Sequence, residues 1–247
     1  VKRAERHHLK QDEFVHGLDQ ATHWFLEHQK NVVNGALVLV GAALLIGGLY
    51  VYRTRQAESA RGLVADALQQ FHATVGERDP GAPEGTPHFA TSEEKYRTAL
   101  ASFQSIADDF SGYDAGRQAR YYAGLCQASL KEFEAAEATL SGLRSGNRDL
   151  LYYLGTKALA SVKSERKDYA GASELYRALA EDKENPLPKD YLLFELAKSE
   201  ERAGNREQAR QYYDRMLAEH PDSQLRGDAM TRSEALALED GPGASGP

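Results

Sequence analysis

From Val32 to Tyr52 the chain runs 21 residues with Asn34 as its one polar side chain, and Arg53 closes the run. A helix of that length spans roughly 30 Å, the hydrocarbon thickness of a bilayer. A helix in the core of a small domain normally keeps a polar outer stripe, and none is present here. A cleaved signal peptide fits poorly, because the preceding segment is long and Arg53 and Arg55 stand where a cleavage site needs small residues. Tyr50 and Tyr52 sit where interfacial aromatics belong, and Lys30, Arg53 and Arg55 bracket the span. The pattern predicts a single transmembrane anchor over residues 32–52. Within it Ala36, Ala43 and Gly47 fall near one face, a candidate surface for packing against another membrane helix.

Residues 1–31 form the tail before the anchor. Phe14, Leu18, Ala21 and Phe25, flanked by Val15 and Leu26, recur at steps of 4, 3 and 4 and predict an amphipathic helix over 11–30. After the anchor, residues 53–76 predict that the helix continues toward the repeats, with Leu63, Ala67 and Phe71 on one side. Residues 77–91 carry Pro80, Gly81, Pro83, Gly85 and Pro87 and predict a loop.

Beyond this loop the chain repeats itself. EEKYRTALASFQSI from Glu93, LKEFEAAEATLSGL from Leu130, RKDYAGASELYRAL from Arg166 and AGNREQARQYYDRM from Ala203 align. A small residue recurs at Ala99, Ala136, Ala172 and Ala209, with spacings of 37, 36 and 37. Four residues on come Phe103, Leu140, Tyr176 and Tyr213, and then Ile106, Leu143, Leu179 and Met216. Tyr96, Phe133 and Tyr169 precede three of the alanines, and Arg206 breaks that pattern. An i, i+4, i+7 stripe with Ala at the closest approach predicts a helix packed tightly on the one before it. These units occupy 92–223, and 224–247 are expected to hold a capping helix, using Leu225, Met230 and Leu236, and a GPGASGP tail.

Charge narrows the function classes. The net charge is −7, and residues 1–31 hold five basic and five acidic side chains, so the excess lies beyond the anchor. Such a domain repels phosphate backbones, which argues against nucleic acid as a partner. One cysteine, Cys126, rules out an internal disulfide and a cysteine-based zinc site. His7, His8, His16, His23 and His28 crowd the tail, but His16 and His23 are about two turns apart, roughly 10 Å, too far to share an ion. The motifs G-x-x-x-x-G-K-[ST], H-E-x-x-H and G-x-S-x-G are absent. Glu93/Glu94, Asp108/Asp109 and Glu200/Glu201 are adjacent pairs, whose carboxylates diverge on a helix. No catalytic residue, metal or cofactor is expected.

The last unit, LAKSEERAGNREQARQYYDRMLAEHP, resembles a tetratricopeptide repeat. Leu196 and Ala197 match its first-helix pair, Gly204 its turn, Ala209 and Tyr213 its second-helix packing pair, and Pro221 its closing proline. Gly124, Ala136 and Leu140 match in the second unit, where Gln127 replaces a usual aromatic, as Lys163 does in the third. The resemblance implies an all-α, helix-pair solenoid after a single N-terminal transmembrane helix, with first helices lining a concave groove. In that register Tyr121, Leu125, Lys157, Ser161, Phe194 and Lys198 face the groove, with Tyr191 at its edge. A clamp for a terminal carboxylate would want Asn among them, and Leu125, Ser161 and Lys198 stand there instead.

FATSEEKYRTALASFQSIADDF, ARYYAGLCQASLKEFEAAEATL and PLPKDYLLFELAKSEERAG, together with the anchor, resemble the YfgM-like bacterial family, described as ancillary SecYEG translocon subunits. That likeness implies a single-pass inner-membrane protein with periplasmic repeats, bound to translocon subunits and periplasmic chaperones, with homo-oligomers also open. The short basic tail favours a cytoplasmic N-terminus, although the nearest charges (Lys30 against Arg53, Arg55 and Arg61) point the other way. The alternatives are a cell-division or envelope-assembly scaffold, or a docking protein facing the cytoplasm.

Overall fold

The computed structural model describes residues 24, 27–77, 81, 83 and 85–239. The predicted tail helix, with Phe14, Val15, Leu18, Ala21, Phe25 and Leu26, lies outside the described residues, as do His7, His8, His16, His23 and the GPGASGP tail. The chain divides into two units, Val1–Gln56 and Ala57–Pro247. Among the described residues it forms nine α-helices and a single two-residue strand pairing.

In the first unit the dominant element is the start of helix α1, Gln29–Phe71, free of proline over 43 residues. Its most apolar 18-residue window has a mean hydropathy of 2.3 and no buried residue. Leu45 and Ile46 expose 76% and 70% of their surface. Burying one such side chain is worth about 1.5–3 kcal/mol, so a row of them left in water would be strongly unfavourable. The helix is apolar and long enough to cross a membrane.

The second unit is built of helix pairs: the end of α1 with α2 (Ser92–Asp109), α3 (Asp114–Ser129) with α4 (Phe133–Ser141), α5 (Leu150–Glu165) with α6 (Tyr169–Glu181), and α7 (Lys189–Arg202) with α8 (Arg206–Glu219), followed by α9 (Arg226–Glu239). The chain is an all-α helix-pair solenoid of tetratricopeptide type. Between α1 and α2, β1 (Thr74–Val75) pairs in parallel with β2 (His88–Phe89) and clasps the intervening loop at its base. Two residues per strand are too few to leave an alternating pattern in the sequence.

Each unit closes on small residues. Ala99, Ala136, Ala172 and Ala209 have no exposed surface, and Phe103, Leu140, Tyr176 and Tyr213 are buried beside them. A Cβ added at Gly124 of α3 would lie 2.6 Å from Leu140, and one at Gly155 of α5 would lie 2.8 Å from Leu143. The turns within the last three pairs repeat one geometry. Lys131, Lys167 and Gly204 hold positive φ (61°, 65° and 86°). The next residues, Glu132, Asp168 and Asn205, donate their backbone N–H to Gln127, Lys163 and Glu200 at 2.8–2.9 Å. This six-to-one closure ends the first helix and aims the second back along it.

At Lys163 and Glu200, two of the three positions where an aromatic is usual, polar contacts form. Lys163 pairs with Glu137 and Asp168, each at 2.8 Å. Glu200, 2% exposed, accepts from Arg177 at 2.5 Å and from the Asn205 amide at 2.7 Å.

Two sequence expectations shift by one helical position. On α1 the buried line is Ala60, Val64, Ala67 and Phe71, stepping 4, 3 and 4, which leaves Leu63 44% exposed. On α9 Ala229 and Leu236 are buried and Leu225 packs partly, but Met230 is 47% exposed, a turn of about 100° away from Ala229.

Gly124→Val is expected to cost about 1–3 kcal/mol, because fully buried Leu140 cannot retreat; the drop in melting temperature measures it. Arg177→Met is expected to cost about 2 kcal/mol by stripping a charged partner from Glu200. Adding Glu200→Met should recover much of that loss in denaturant titration.

Candidate partner-binding groove

Helices α3, α5 and α7 are the first helices of successive pairs, and their repeat period of 36 and 37 residues stacks Tyr121, Lys157 and Phe194 in one row. Leu125, Ser161 and Lys198, one turn further on, form the second row. Their environments differ. Phe194 is 6% exposed and meets the Tyr213 ring edge-on at 5.7 Å, so its bulk lies in the core. Tyr121, Leu125 and Tyr191 are partly buried against the same core. Ser161 is exposed.

The polar members divide further. The Lys198 ammonium is 2.8 Å from the Glu195 carboxylate and 5.5 Å from the Phe194 ring centroid. The Lys157 ammonium stands 5.3 Å over the ring of Tyr191, in the neighbouring pair. Burial holds the Tyr121 and Tyr191 hydroxyls above the usual phenol range, helped by Tyr122 and Glu195 respectively. Tyr176, behind them, is raised mainly by burial, with Glu195 adding and a hydrogen bond from Ser161 opposing. These phenols stay neutral and offer donors rather than charge. Glu195 is the residue that sequence reasoning passed over. Its three-residue spacing from Lys198 was the available signal.

The packing candidates Ala99, Phe103, Ala136, Leu140, Ala172, Tyr176, Ala209 and Tyr213 all lie inside, apart from this surface. Ala36, Ala43 and Gly47 are exposed along the apolar part of α1. Clefts of about 340, 500 and 470 Å³ lie elsewhere: beside the α6–α7 loop, among α2, α3 and α4, and between α9 and the α7–α8 turn. None of these clefts is lined by a residue of the two rows, so they are separate from the candidate groove.

Cys126 has no exposed surface, and burial pushes its thiol up to about 12, which removes the thiolate a nucleophile needs. Glu93 pairs with Arg97, Glu94 caps the start of α2, Glu200 holds Arg177, and Glu201 holds Arg232 and Tyr213. These carboxylates are joined to structural partners rather than to one another. Among the described residues no group of three or more His, Cys, Asp or Glu is placed to hold a metal ion.

The tetratricopeptide repeat family matches residues 191–223, which span α7, its turn, α8 and Pro221. Comparison of the chain with curated proteins returned no match. A tetratricopeptide repeat marks a scaffold for protein–protein interaction, a class generally without catalytic activity.

Phe194→Ala is expected to lower stability by about 3–5 kcal/mol, whereas Ser161→Ala stays within about 0.5 kcal/mol. Denaturant midpoints of the two variants separate residues that hold the fold from residues free to bind.

Proposed function

We propose that the chain is an adaptor of the bacterial envelope, anchored through residues 32–52, that holds protein partners in the groove of its repeat region, residues 92–223. The observation that carries this reading is the joining of one fully exposed apolar helix to a solenoid with an open row of aromatic and cationic side chains. In the full proposal the N-terminal tail is cytoplasmic and the repeats are periplasmic, the region from 53 onward leads into them, and 224–247 close the solenoid. The partners are translocon subunits and periplasmic chaperones, as the likeness to the YfgM-like family suggests. Restriction to the membrane plane raises the effective concentration of a partner held there, so a modest groove affinity suffices.

A second reading, an envelope-assembly or cell-division scaffold, is favoured by the exposed small residues Ala36, Ala43 and Gly47, which suit self-association in the membrane.

A reporter active only outside the cytoplasm, fused after Pro247, is expected to be active. Silence there, with a cytoplasmic reporter active at the same place, would sink the periplasmic adaptor. With topology established, a photo-crosslinker at Ser161 is expected to capture translocon subunits. Crosslinks confined to other copies of this chain would favour the scaffold instead.

A further inference from the structure

We infer that Lys157 is a subsite for an internal aspartate or glutamate side chain, carried by an extended partner segment whose neighbouring residues are apolar. This rests on the groove reading above and names the chemistry the groove selects.

Several cations of the second unit settle on carboxylates. Lys163, Lys189, Lys198, Arg166 and Arg177 each have a carboxylate oxygen within 3.0 Å. Within the two groove rows Lys157 differs from Lys198: among the described residues its ammonium has the Tyr191 ring, 5.3 Å away, and no carboxylate. A ring face attracts an ammonium but accepts little of its hydrogen-bonding capacity. The side chain is partly buried in the middle row, between Tyr121 and Phe194, so its charge has incomplete access to water. Positive charge held in this way attracts a carboxylate more strongly than a fully solvated lysine does.

The surroundings supply the rest of the specificity. Tyr121, Leu125 and Tyr191 offer partly exposed apolar surface on both sides of Lys157, fitting apolar residues that flank the acid. The chain carries a net charge of −7, so an acidic segment is repelled over most of the surface and held at this row. A terminal carboxylate fits less well. Its second oxygen would want another charged or amide donor, whereas Lys198 is already engaged by Glu195 and no Asn stands in either row.

The test uses the full chain in nanodiscs and fluorescent ten-residue peptides, acetylated and amidated at their ends, with Glu, Gln or Lys at the centre of a Leu-containing frame. The Glu peptide is expected to bind, with the Gln peptide about tenfold weaker. Lys157→Met, which keeps the apolar stem, should weaken the Glu peptide about tenfold and erase its advantage over Gln, while Lys157→Arg should keep it. A melting curve shows that both variants are folded. Equal binding of the Glu and Gln peptides, or a Glu peptide indifferent to Lys157→Met, overturns the subsite. Binding restricted to peptides with a free C-terminus overturns it in favour of a terminal carboxylate. If crosslinking at Ser161 captures partners whatever stands at 157, the groove survives and the subsite falls. If neither capture nor peptide binding occurs, both fall.

Discussion

At Gly124 the side chain of Leu140 comes within 2.6 Å of the place a Cβ would occupy, and at Gly155 the side chain of Leu143 does nearly the same. This close approach of first and second helices governs the solenoid. A large residue seats where the facing backbone carries no side chain, and Ala136, buried one turn before Leu140, lets the helices touch along their length. The buried alanine and the large residue four positions after it recur every 36 or 37 residues, so the row spacing of the candidate groove side chains is inherited from them. Tyr121, Lys157 and Phe194 line up because the helices carrying them are spaced by the packing behind them.

The turns keep the same phase by backbone means. Lys131, Lys167 and Gly204 share the left-handed conformation, although two of the three carry side chains that dislike it. The closing hydrogen bonds and the packed helices on both sides outweigh that cost. Where an interior aromatic is missing, two of the three polar side chains are satisfied: Glu200 receives Arg177 and Asn205, and Lys163 receives two carboxylates, whereas the buried Gln127 Oε1 has no hydrogen-bond partner among the described residues. A solenoid held in this way presents a fixed surface to a partner, which limits the ordering cost of binding.

The apolar helix, long enough to cross a membrane, and the repeats answer different physical demands. The exposed leucines, valines and Ile46 of α1 suit a hydrocarbon solvent, whereas the repeats bury their apolar stripes within themselves and keep most of their charge outside.

The sequence by itself determined the apolar run, the all-α class and the repeat period, because these depend on local spacing of apolar and small residues. Ala99, Ala136, Ala172 and Ala209 could be read in register directly from their intervals. Only the tertiary structure decided the finer matters. It turned α1 by one position, so that Val64 rather than Leu63 faces α2 and α3, and it put Ala229 rather than Met230 under α9. It paired β1 with β2 across a loop in which no strand was legible. It drew Phe194 into the core, gave Lys198 to Glu195, and set Lys157 over the ring of Tyr191. These outcomes depend on which neighbouring helix each side chain meets. Periodicity gives the face of a helix, but a partner on another repeat is chosen by packing in three dimensions.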